Sequence, residues 1–154
     1  MRKTVDKILG NILAFLMAVM TIDVLWQVFS RYIMRSPSSF TDELARFLLI
    51  WIGILGAAYV SGQGKHLAID LLPGKLSETG KKRLTFFISM VILLFALTVM
   101  VIGGIRLVYV TLYLGQQSSA LQVPLGYVYT VLPISGLLVI YYKTLAIIES
   151  LKKT

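Results

Sequence analysis

Acidic and basic side chains at the mouth of an apolar run are the residues best placed to do chemistry. Phe40-Thr41-Asp42-Glu43-Leu44-Ala45-Arg46-Phe47-Leu48-Leu49-Ile50-Trp51 sets two carboxylates and a guanidinium within one helical turn, then continues as hydrocarbon-like sequence. A charge at the centre of a bilayer helix costs about 2.5–3.5 kcal/mol on insertion scales, so such groups pair, take partners or mark pathways. Asp23 lies inside an earlier apolar run and Arg106 near the end of a later one. At about 3.6 residues per turn, Asp23, Glu43, Arg46 and Arg106 fall at similar depth, and an intramembrane polar cluster is expected from them. Two roles for it stay open: a salt bridge that fixes the bundle or its docking face, and a coupling-ion or proton site.

Other reactive types are scarce. His66 is the single histidine, with Asp70 four residues on. One imidazole supplies neither both axial ligands of a membrane b-type haem nor a metal cluster, so a hydrogen-bonded pair is the reading. There is no cysteine, which excludes disulfides, thiolate metal sites and a cysteine nucleophile. No phosphate-binding glycine loop, G-x-S-x-G or H-E-x-x-H occurs. The expectation is a chain that is not an enzyme, with no catalytic residue, no metal and no cofactor of its own.

The elements that must position these residues are membrane spans. Of 154 residues, 57% are hydrophobic and 14% charged, against about 25% charged in soluble domains. Four segments hold the apolar residues needed to cross a core about 30 Å thick: Ile8–Phe29, Leu44–Gly62, Leu84–Tyr109 and Leu125–Ile148. Backbone groups must be satisfied inside lipid, so all four are expected as helices. The fold expected is an all-α membrane protein of four transmembrane helices, one domain over residues 1–154. The start resembles a secretory signal, but the run from Ile8 to Phe29 exceeds the roughly 7–15 residues of a signal core, and a retained first span is expected.

Charge sets the orientation. The net charge of +8 would raise nucleic acid in a soluble protein. Here eleven of the fifteen basic residues fall at the two termini and in the middle loop, and four (Arg31, Arg35, Arg46, Arg106) on the other side. Basic residues collect on the cytoplasmic side, so both termini and the middle loop are expected there, with no nucleic-acid partner. Trp26, Tyr32, Tyr109, Tyr113, Tyr127 and Tyr129 then form an outer aromatic belt, and Tyr141 and Tyr142 an inner one. The middle loop mixes apolar and charged residues from His66 to Leu76 ahead of Lys81-Lys82-Arg83, the composition of a short amphipathic helix on the inner surface.

Within the second span, Ser39 is the expected cap, with Asp42 three residues on, and Glu43 and Arg46 are i,i+3 neighbours. Trp51 lies about 12 Å along the helix from Glu43, too deep for a belt and therefore packed against another helix. Gly53, Ala57 and Ser61 recur every four residues, a small-residue seam that lets a helix approach, either from this chain or from a partner. Pro133 is expected to kink the fourth span.

Taken in order, Arg31-Tyr32, Asp42-Glu43-x-x-Arg46-x-x-x-x-Trp51, Gly56-Ala57, His66-x-x-x-Asp70, Pro124-Leu-Gly-Tyr and Pro133-Ile-Ser-Gly resemble the small membrane subunit of tripartite ATP-independent periplasmic (TRAP) transporters, the DctQ family. The resemblance covers nearly the whole chain. It implies a bacterial inner-membrane scaffold beside a large permease subunit that moves organic acids, sialic acids among them, by a sodium-driven elevator motion. Substrate and sodium sites would belong to that large subunit, and a periplasmic binding protein would deliver the cargo. On this resemblance Arg31, Arg35, Gln116 and Gln117 are candidates for binding-protein docking, and Trp51, Gly53, Ala57 and Ser61 for helix packing or the large-subunit interface. The alternative for Arg31 and Arg35 is contact with lipid headgroups alone. Two other functions stay open: a self-sufficient four-helix exporter of the small multidrug type, with Asp23 as its carboxylate, and an anchor subunit of a respiratory complex.

Overall fold

The computed structural model describes residues 2–35, 38–63 and 78–152. The expected amphipathic segment of the middle loop and the His66–Asp70 pair lie outside the described residues.

Helix α1 runs Arg2–Tyr32 and α2 runs Ser39–Gly62. The third span is continuous but changes pitch: α3 (Glu78–Phe95) passes into a π-helical segment (Ala96–Gly103) and then α4 (Gly104–Tyr113). The fourth is α5 (Leu125–Tyr129) followed by α6 (Val131–Lys152). Four stretches are long and apolar enough to cross a membrane: Arg2–Tyr32, Ser39–Gly62, Arg83–Tyr113 and Leu125–Ile148. The helices overrun all four expected spans at one end or both. Helical hydrogen bonding does not stop where hydrocarbon does, whereas hydropathy marks only the apolar part.

Two local expectations are corrected. The cap of α2 is Ser38, not Ser39: its backbone is extended (φ −87°, ψ 108°) and its hydroxyl accepts from the Thr41 N–H at 3.5 Å. Asp42 is thereby freed for side-chain partners. The fourth span breaks at Thr130, ahead of Pro133 rather than at it. Pro133 sits in the first turn of α6, where a missing N–H costs no intrahelical bond, so the helix restarts just upstream of it.

The spans pack as a row. Helix α1 lies on α2, α2 on α6, and α6 on the π segment and α3. The first and third spans make no substantial contact with each other, which leaves both with long exposed apolar faces. The core between α1, α2 and the fourth span is built on Leu9, Leu55, Val131 and Tyr142, with Trp51 and Ile54 against it. The third and fourth spans meet through missing side chains: a Cβ on Gly136 would lie 2.8 Å from Met100 Cβ and Val101 Cγ2. The π segment carries both of those residues, and π turns commonly mark such local adjustments. Thr98, whose hydroxyl donates to the Leu94 carbonyl at 2.8 Å, adds a competing bond within the ladder.

At the end that carries the termini, α1 is tied down by polar contacts. The Arg2 guanidinium donates to the Gly62 carbonyl at 2.5 Å, and the Tyr142 hydroxyl donates to Asp6 Oδ1 at 2.6 Å. Tyr142 is buried, so its expected place in an inner aromatic belt is corrected to one inside the bundle. Its ring fills the space a side chain on Gly62 would need, 2.7 Å from the position of a Cβ.

Candidate functional site

The opposite end of the bundle gathers most of the residues singled out from sequence. The C-terminus of α1, the N-terminus of α2, the end of α4 and the Gly115–Pro124 connection meet there.

Asp42 and Arg46, four residues apart, stack on one face of α2 and pair at 2.6 Å. The other oxygen of Asp42 accepts from Gln27 Nε2 at 3.1 Å, which links α1 to α2. Glu43 stands about 100° further round the helix and does not join Arg46. Its Oε1 accepts from the Ser119 N–H at 3.0 Å, and its Oε2 from Ala120 and Leu121 at 2.9 and 2.7 Å. Three consecutive backbone amides converging on one carboxylate form an anion-binding nest.

The nest exists because the connection folds on itself. Gly115 turns the chain with φ +61°, and Gln122, a side-chain-bearing residue, adopts φ +53°. Gln117 and Pro124 face each other as an isolated antiparallel bridge. Ser118 is buried and staples the turn: its N–H donates to the Val123 carbonyl at 3.0 Å, and its hydroxyl accepts from the Val123 N–H at 3.2 Å. Gln116, Gln117, Ser119 and Gln122 are left exposed around this rim.

The expected four-residue cluster is therefore resolved into separate arrangements. Glu43 turns to the loop and Arg46 to Asp42, since the i,i+4 spacing brings those two together without strain. Arg106 is exposed on α4. Asp23 is 7% exposed on the face of α1 toward the bundle, and its Oδ2 has no hydrogen-bond partner among the described residues. Arg31 and Arg35 are exposed. Arg31 lines a cleft of about 340 Å³ with Gln27, Ser38, Ser39 and Asp42.

Trp51 is an internal clasp. Its indole N–H donates to the Val128 carbonyl at 3.0 Å, beside the break between α5 and α6. The small-residue seam is divided. Among the described residues, Ser61 is half-buried with its hydroxyl unpartnered, whereas Gly53 and Ala57 are exposed, and a Cβ on Gly53 or Gly56 would meet nothing within 4 Å. Beside them an apolar groove of about 310 Å³ runs between α1 and α2, lined by Met17, Met20, Thr21, Val24, Leu25 and Ile52.

Sequence reasoning missed the loop nest, Ser118 and Gln27. Backbone amides leave no mark in a sequence, and the one available signal was the Gly115 and Pro124 bracket around a short polar stretch.

Four apolar helices packed as an open row, with a polar end and one bare small-residue flank, define a multi-pass helical membrane protein. The chain belongs to the DctQ component family of tripartite ATP-independent periplasmic transporters, whose family model matches residues 20–153. It is 32% identical over 90 residues to a Haemophilus influenzae chain provisionally named a TRAP transporter small permease protein, covering 58% of this chain and 56% of that one. It is 27% identical over 103 residues to the sialic acid TRAP transporter small permease protein SiaQ of Vibrio cholerae, covering 67% and 60%. A 66-residue stretch, 43% of this chain, is 29% identical to 11% of the sialic acid TRAP transporter permease protein SiaT of Haemophilus influenzae. The matches thus span little more than half the length of the two small-permease relatives. Family and fold together place the chain in the inner membrane as a multi-pass transporter subunit.

Proposed function

We propose that this chain is the small scaffold subunit of a sodium-driven TRAP transporter for organic acids, with sialic acid the leading candidate. It works beside a large permease subunit and a periplasmic substrate-binding protein. Sodium and substrate are bound by the large subunit, and this chain contributes static mass, a mating flank and a docking rim. It performs no catalysis.

The observation that carries the reading is the bare flank of α2. Gly53, Gly56 and Ala57 face away from the chain's own core, and among the described residues no side chain fills the space beside the two glycines. Small residues let helices approach within a bilayer, where close packing rather than water exclusion drives association. Leaving them unfilled makes sense when another protein's helix completes the contact.

Both termini face the cytoplasm in this reading, because eleven of the fifteen basic residues lie on that side. The polar end then faces the periplasm, where Arg31, Arg35, Gln116 and Gln117 are exposed for docking. Positive side chains there steer an acidic partner and set its orientation more than they add raw affinity. The exporter alternative needs a carboxylate open to cargo, and Asp23 is buried against the bundle. Replacing Gly53 with Leu in the intact transporter tests the reading: the chain still inserts and folds, and the large subunit no longer co-purifies. Undiminished co-purification of that variant would sink it.

A further inference from the structure

The Glu43 clamp reaches 76 to 78 positions along the sequence to three consecutive backbone amides of the loop, with the Ser118 side chain beside them. It is not needed to close the bundle, since α2 already packs on α1 and α6 and is tied to the fourth span by the Trp51–Val128 hydrogen bond. What it fixes is the rim. Without it the Ser119, Ala120 and Leu121 amides lose their shared acceptor. Gln122 holds a left-handed backbone (φ +53°) that a side-chain-bearing residue adopts only under constraint.

We propose that Glu43 is a positioning residue for partner docking: its negative charge holds the Ser118–Val123 turn in one outward conformation, and that preformed rim is what the periplasmic binding protein meets. The proposal rests on the docking role assigned above and deepens it. Preorganisation is the physical reason. A rim already ordered before contact spares the partner the cost of immobilising it, about 0.5–1.5 kcal/mol for each flexible side chain. Charge is essential because a carboxylate offers two acceptor oxygens and attracts all three amides, whereas an amide of the same shape offers one oxygen and turns an NH₂ group against the nest. Gln116, Gln117, Ser119 and Gln122 are the side chains that the clamp sets in place.

Charge and shape are separable by experiment. The full transporter is prepared in nanodiscs with wild-type, Glu43→Gln and Glu43→Asp chains. Amide hydrogen exchange is read at residues 119–121, and binding of the same transporter's purified binding protein is titrated. Co-purification of the large subunit and an unchanged unfolding midpoint check that the bundle is intact. Glu43→Gln, the isosteric change, is expected to speed exchange at the three amides and to weaken binding-protein affinity, each about tenfold for the loss of a charge-assisted bond. Glu43→Asp keeps the charge and retains most of both. Unchanged exchange in Glu43→Gln overturns the clamp. So does an order in which Gln performs better than Asp. Faster exchange with undiminished binding separates the rim from docking and overturns the proposal too. Absence of any binding by the wild-type transporter, with protected amides, would instead count against the docking reading on which it rests.

Discussion

Glu43, Asp42 and Arg46 lie within one turn of helix, yet each has a different kind of partner. Asp42 and Arg46 pair on an exposed face. Exposed i,i+4 pairs contribute about 0.3–0.5 kcal/mol, so Arg46→Gln should leave thermal stability and co-purification near wild type. Trp51 is worth more. Trp51→Phe keeps the aromatic packing and strands the Val128 carbonyl, which is expected to destabilise the chain by about 1 kcal/mol in a detergent unfolding titration. A stability unchanged by that substitution would mean the indole hydrogen bond is replaced locally. The place of Trp51 along α2 was legible from its spacing to Glu43, but its hydrogen bond to the Val128 carbonyl was not. Nor were the partners of Glu43, because they are mostly main-chain amides brought round by turns at Gly115 and Gln122. The same limit explains Tyr142: a tyrosine near an inner boundary looks like a belt residue until Gly62 is found to leave room for its ring.

At the level of elements, glycine separates two kinds of surface. Gly136 is closed, with Met100 and Val101 against it, whereas Gly53 is open. Gly136→Ala should therefore destabilise the chain on its own, by about 1–3 kcal/mol from overpacking between the third and fourth spans. Gly53→Ala should leave the isolated chain's unfolding midpoint unchanged or slightly raised, since a helix gains from Ala over Gly. The pair is checked in one detergent unfolding series, and equal effects at both sites would contradict the assignment of faces. The four spans were legible because hydropathy over about 20 residues is a strong signal. The pitch change at Ala96–Gly103 and the break at Thr130 were not, because both arise from how the third and fourth spans fit each other. The period of Gly53, Ala57 and Ser61 announced a seam, but not that Ser61 would turn inward while the other two stay bare.

As a whole molecule, the chain is a row of helices rather than a closed bundle. Its first span packs mainly on α2 and meets the fourth span through Leu9 and the Tyr142–Asp6 hydrogen bond, and its third span exposes a long apolar face. A row buries little of itself, which suits the proposed role beside a larger partner better than that of a self-sufficient carrier. The open flank of α2 supports the same proposal. The most direct test is to solubilise the native membrane gently, capture this chain through a tag, and determine by mass photometry what leaves with it. The account predicts a stoichiometric complex with one much larger multi-span permease, lost when Gly53 is replaced by Leu. Recovery of the wild-type chain alone, or only as a pair with itself, would contradict it.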